Sequence, residues 1–154
     1  MPGTFSQLYI HIVFAVKGRQ NLIGDMWKSD LYKYMSGIIT NKGQKSILIN
    51  GMSDHVHVFV GLKPSMRISD LVRDIKNNSS KFINESKFTK FKFSWQEGYG
   101  AFSYGQSQIS TVYNYILNQE RHHKKLSFKE EYTDFLKKFN VEFDEQYLFE
   151  WIAD

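Results

Sequence analysis

A chain of 154 residues with a formal net charge of +4 and no cysteine is long enough for a core without staples, and it excludes disulfides, thiolate metal sites and a cysteine nucleophile. No apolar run approaches the ~18 residues needed to span a bilayer and no basic-then-apolar leader is seen, which predicts a protein with no membrane association, in the reducing cytoplasm. A sequence pI of 9.1 permits a nucleic-acid partner without requiring one, and the 16% aromatic content serves either a ring-rich core or stacking on unpaired bases.

Leu8 to Val16 reads as a first strand. Leu31, Tyr34, Met35, Ile38 and Ile39 fall at helical spacing, which predicts a helix from about Asp25 to Asn41, stopped at Gly43. Ile47 to Met52 and His55 to Leu62 predict a hairpin turning at Ser53-Asp54, closed by Pro64. Ile68, Leu71, Val72, Ile75, Phe82 and Ile83 give a second helix. Between Asn84 and Gly100, Lys87, Lys90 and Lys92 alternate with Phe88, Phe91 and Phe93. This segment and Trp95 suit either contact with DNA or an edge strand guarded by lysines.

A short strand is expected from Ala101 to Tyr104 and a third helix from Ser107 to His123. Ser127 with Glu130 forms a capping box for a fourth helix, whose apolar stripe is Tyr132, Phe135, Leu136 and Phe139. The tail Tyr147-Leu148-Phe149-Glu150-Trp151 is too apolar for water and is expected to dock on the domain or on a partner subunit. Strand, helix, strand, strand, helix, strand is the split βαβ plan. The predicted fold class is therefore α+β, a ferredoxin-like antiparallel sheet with helices on one face plus C-terminal helices, all in one domain of residues 1–154. Val56, Val58 and Val60 would face the helices, while His55, His57 and Phe59 line an open face.

Histidines two apart on a strand project from one face, so His55 and His57 can reach one metal ion. On the third helix, with 100° per residue, Gln108, Thr111, Gln119 and His122 lie within about 40° of Tyr115. Ile109, Val112, Tyr113 and Ile116 lie toward the other side, which predicts that Tyr113 packs. A polar stripe of amides, hydroxyls and imidazole differs from the Lys/Glu face of an ordinary surface helix. His122 and His123 suit an exposed helix end, and Lys124 and Lys125 compensate its dipole.

Together, Gly51-Met52-Ser53-Asp54-His55-Val56-His57, Phe93-Ser94-Trp95-Gln96-Glu97-Gly98-Tyr99-Gly100-Ala101-Phe102-Ser103 and Tyr115-Ile116-Leu117-Asn118-Gln119 before His122-His123-Lys124-Lys125 resemble the one-tyrosine, insertion-sequence-200-like transposases with their HUH motif. The resemblance implies a metal-dependent DNA transposase that cleaves and rejoins single-stranded DNA at element ends through a 5′-phosphotyrosine. It implies Tyr115 as nucleophile, His55, His57 and Gln119 as ligands of Mg²⁺ or Mn²⁺, and hairpin-bearing single-stranded DNA as partner. It also implies a homodimer in which one subunit's tyrosine helix can complete the other's site. A domesticated relative acting on chromosomal repeat hairpins, and a non-catalytic ferredoxin-like binder of single strands, are the alternatives the residues leave open.

Overall fold

The computed structural model describes residues 3–152. Its elements in chain order are β1 (Leu8–Ala15), α1 (Lys28–Asn41), β2 (Lys45–Met52), β3 (His55–Leu62), α2 (Ile68–Glu85), β4 (Gly100–Tyr104), α3 (Ile109–Leu117), α4 (Gln119–His122) and α5 (Phe128–Lys138). The strands form one antiparallel sheet in the order β2-β3-β1-β4. This is the expected ferredoxin-like core with added C-terminal helices.

Register assigns each side chain to a face. Ile10, Ile12 and Phe14 on β1 pair with Val60, Val58 and Val56 on β3. They share the core with Leu31, Met35 and Ile39 of α1 and Leu71, Ile75 and Ile83 of α2. Fully burying such a side chain contributes about 1.5–3 kcal/mol, so this layer holds the sheet flat against both helices. The alternate residues, His11 on β1 with Phe59 and His57 on β3, face the other way.

That second face is not open. Val112 and Ile116 of α3 pack on Phe59, and Phe135 of α5 meets His11 edge-on and stacks on Phe102. His55, His57 and Phe59 are therefore fully buried. An amphipathic sheet face rich in rings is covered by the chain's own last helices rather than left to solvent. The tail also docks on the domain. Phe149 is buried against Phe128 and Tyr132, and Glu150 exchanges backbone hydrogen bonds with the Gln96 amide.

The third helix breaks where a continuous one was expected. Asn118 (φ −97, ψ 31) separates α3 from α4. Its amide donates back to Asn114 O, while Asn50 of β2 donates to the Ile116 and Leu117 carbonyls, satisfying acceptors that the break would orphan. Tyr113 is 37% exposed on α3 instead of packed. The Asn84–Gly100 segment is irregular, tied down by the Asn84 amide to Phe93 and by a bridge between Val16 and Trp95. Trp95, expected as a DNA contact, is instead a core residue. Its ring meets Phe14 and Phe93 edge-on and its indole N–H donates to Ser79 Oγ, so no face remains for a base. Lys87, Lys90 and Lys92 are exposed.

Gly51 fixes how the hairpin closes. It lies opposite Val56, and a Cβ there would collide with the His55 carbonyl oxygen and stand 2.8 Å from Val56 Cα. Both obstacles are backbone, so the strand would have to move. Gly51→Ala is expected to destabilise the protein by about 1–3 kcal/mol in urea unfolding; an unchanged midpoint would show that the hairpin yields freely.

Candidate active site

β3 carries His55 and His57, α3 carries Tyr115, α4 carries Gln119, and α5 carries Glu131. The three helices bring their residues over the covered sheet face, so Tyr115, His55, His57 and Gln119 lie close together there. Glu131, only 2% exposed, stands at the middle. Its Oε1 accepts from His57 Nε2 at 3.1 Å and His123 Nε2 at 3.2 Å, and lies 3.3 Å from His55 Nε2. Its Oε2 accepts from the Tyr115 hydroxyl and, at 3.2 Å, from the Gln119 amide nitrogen. Gln119 Oε1 in turn sits 3.3 Å from His55 Nε2.

The ligand geometry is also set from behind. Asp54 Oδ1 accepts from His55 Nδ1 at 2.7 Å, and the Phe128 ring lies flat on His55, 3.9 Å between centroids and 3° between planes. His57 Nδ1 meets His11 Nε2 at 2.7 Å. With His57 donating from Nε2 to Glu131, its Nδ1 accepts from His11; this tautomer is assigned from the hydrogen-bond pattern. Backing of this kind is what orients imidazoles in metal centres. The His122 ring stacks on Tyr115 with centroids 4.4 Å apart, and His123 is drawn into the centre instead of ending an exposed helix.

Electrostatics follow from burial and from Glu131. Burial works against a charged His55, but hydrogen bonds and charge from Asp54 and Glu131 outweigh it and raise its pKa to about 9. For His57 burial wins over Glu131 and the pKa falls. Burial, aided by His57, pushes His11 well below its ordinary value. Glu131 is held far below the carboxylate range because the surrounding imidazoles outweigh its desolvation. Burial and then the Glu131 charge push the Tyr115 phenol above its ordinary value. His55, His57 and Glu131 each offer one ligand atom within 4.8 Å of the others, a donor set able to hold a metal ion.

Glu131 and His11 escaped the sequence reading. Glu131 carried a signal: it lies three residues after Phe128 and four before Phe135, in phase with the buried stripe of its helix. A carboxylate on an apolar stripe is rarely left unpaired. His11 is the one imidazole of an otherwise apolar strand, on the same face as His57.

Comparison with known proteins bears on what this centre does. The family described as "Transposase IS200 like" matches residues 4–119. The chain is 25% identical over 123 residues to the ISDra2 transposase TnpA of Deinococcus radiodurans, covering 76% of this chain and 87% of that protein. Among solved structures, a proposed transposase from Deinococcus radiodurans R1 superposes with a TM-score of 0.60 at 23% identity, covering 76% of this chain and 94% of the other. A REP-associated tyrosine transposase bound to a REP hairpin gives 0.58 at 12% identity, over 78% and 71% of the two chains. These two likenesses establish the fold.

The metal-free centre makes stability depend on pH with a worked sign. His55, raised from 6.5 to about 9, contributes stability that is complete below 6.5 and lost as pH rises through 9. His57 and His11 are lowered, so the unfolded chain takes up protons that they refuse, and stability falls as pH drops below 6.5. Urea midpoints of chelator-treated protein should therefore peak near pH 6.5 to 7. His55→Gln should remove the alkaline fall; a wild-type midpoint still rising at pH 9 would contradict this account.

Proposed function

The chain belongs to the IS200-like transposase family, and from that premise we propose that residues 1–154 form one catalytic domain that cuts and rejoins single-stranded DNA through Tyr115. The observation that carries the reading is the convergence of the Tyr115 hydroxyl, the Gln119 amide and the His55 and His57 imidazoles on one buried carboxylate. In the step, a bond forms between the Tyr115 oxygen and phosphorus while the bond from phosphorus to O3′ breaks. O3′ leaves with the upstream strand and takes up a proton, and the downstream strand stays on the tyrosine by its 5′ phosphate. The bond energy is kept, so a second DNA end can later be joined without a nucleotide cofactor. The phenol proton passes to solvent as the bond to phosphorus forms, since Glu131, held far below the carboxylate range, is too weak a base to keep it.

A phenol whose pKa is raised by burial and by Glu131 is a poor nucleophile, which sets what else the site requires. Nitrogen and oxygen donors at His55, His57, Gln119 and Glu131 fit a divalent cation such as Mg²⁺ or Mn²⁺. When bound, such an ion offsets the Glu131 charge and stabilises charge developing on the scissile phosphate. His55 and His57 would hold it, with Asp54 and His11 fixing their orientation, while the His122 ring packs on the Tyr115 phenol. Exposed Lys87, Lys90 and Lys92 are proposed phosphate contacts. The hairpin carried by the REP-associated structural neighbour supports single-stranded DNA with a hairpin as the partner here. No described helix is long and apolar enough to cross a membrane, and a cytoplasmic location is part of the same reading.

Covalent capture on hairpin-bearing single strands with Mn²⁺ tests this. Tyr115→Phe should abolish the adduct and Tyr113→Phe should retain it, because Tyr113 has no place at the centre. Chelator should stop cleavage, and His57→Ala should lose cleavage while still binding DNA. A nucleotide mapped to Tyr113, or full activity in chelator, would refute the mechanism.

We also propose a homodimer. Leu117 at 51% exposure and Tyr113 at 37% present an apolar outer side of α3 that this chain leaves uncovered. Light scattering at micromolar concentration should give twice the 18.2 kDa chain mass, and Leu117→Glu should halve it. A clean monomer for the unaltered chain would rule out the dimer.

A further inference from the structure

A cavity of about 400 Å³ opens beside Tyr115, between α3, α5 and β4. We propose that it holds one unstacked nucleobase, that of the nucleotide left attached to Tyr115 after cleavage; the proposal rests on the reading of Tyr115 as nucleophile. A space of this size is in the range of small-ligand sites.

Its walls suit a flat ring. Tyr104 from the sheet and Phe135 from α5 contribute aromatic surface, and the Tyr115 ring forms the side toward the catalytic centre. His11 also lines it, and His11 Nδ1 is a fully buried polar atom with no hydrogen-bond partner. At the mouth, Gln108 and Thr111 on one side and Asp134 and Lys138 on the other offer an amide, a hydroxyl, a carboxylate and an ammonium group. Apolar faces with a few donors and acceptors at the edge are what an extruded base requires, stacked on its faces and read along its hydrogen-bonding edge. An acyl chain would leave those edge groups and His11 Nδ1 unmatched.

The chemistry selects which base. In an in-line displacement the O3′ leaving group departs from the side of phosphorus opposite the attacking oxygen. The upstream nucleotide therefore moves away from Tyr115. The downstream one stays tethered to a side chain that lines the cavity, and its base is the one within reach. The cavity would thus set sequence preference at the first position of the retained strand.

The test uses a single-stranded DNA library with a constant hairpin and a randomised flank, with Mn²⁺, followed by capture and sequencing of the strands bound to the protein. Wild-type protein should enrich one base about tenfold at the first retained nucleotide, the scale of a good hydrogen-bonded base contact. Gln108→Ala and Asp134→Asn should flatten or change the preference there and nowhere else. Thr111→Trp, which fills the mouth from an exposed position, should remove it. Separately, NMR of the Val112 and Leu126 methyl groups in metal-free protein should show saturable shifts with deoxynucleoside 5′-monophosphates, absent in Thr111→Trp. Methyl shifts without any adduct would support the base site and refute the phosphotyrosine reading. Adducts with no first-position preference, or with a preference that persists in all three variants, would overturn the base site. Neither adducts nor shifts would overturn both.

Discussion

Everything distinctive about this fold is subordinate to one buried carboxylate. A charge as deeply enclosed as Glu131 costs several kcal/mol in lost hydration, and only dense pairing offsets it. His57, His123, Tyr115 and Gln119 donate to its two oxygens, and His55 stands beside them. Each donor is delivered by a different constraint. The β3 register puts both histidines of the motif on one face, and a slip of one residue would send them into the aliphatic layer under α1 and α2. The Asn118 break sets α4 so that Gln119 faces the strand. The Ser127 capping box fixes where α5 begins and hence where its fourth residue points.

The same carboxylate has opposite effects on its neighbours. It helps keep His55 protonated at neutral pH, and it disfavours loss of the phenolic proton from Tyr115. In the metal-free state the centre is thus electrostatically settled: a cationic imidazole, an anionic carboxylate and a neutral phenol. In the proposed reaction a phosphodiester would add negative charge to that arrangement, so cation binding and substrate binding would favour each other on charge grounds alone.

Much of this was legible in the residues. Alternation along His55 to Leu62 gave the strand and both of its faces, the aliphatic repeats gave α1 and α2, and Ser127 with Glu130 marked the start of α5. What the sequence hid was non-local. That α3 and α5 fold back over the histidine face depends on the fit of Phe135 against His11 and Phe102, which no local period encodes. Trp95 sits among lysines in sequence yet in the core in space. His123 was misplaced because the wheel ran one helix through the Asn118 break, whereas Tyr113, on the unbroken α3, faces away from Tyr115 as expected but finds nothing among the described residues to bury it. Glu131 lies beyond residues 4–119, which match the family.

Phe128 connects that centre to the far end of the described chain. One side of its ring environment is His55, and the other is Phe149 and Trp151, whose segment is held by the reciprocal hydrogen bonds of Glu150 with Gln96. His55 is therefore braced by residues more than seventy positions further along the chain. The tail itself has no strand or long helix to hold it in register, which puts it at the low end of local stability. Loosening that segment would uncover one side of the Phe128 ring, which Tyr132 and His55 still hold from the other. The packing behind His55 thus extends to a segment about ninety residues further along the chain, so a change at Phe149 or Trp151 reaches the buried centre through one ring.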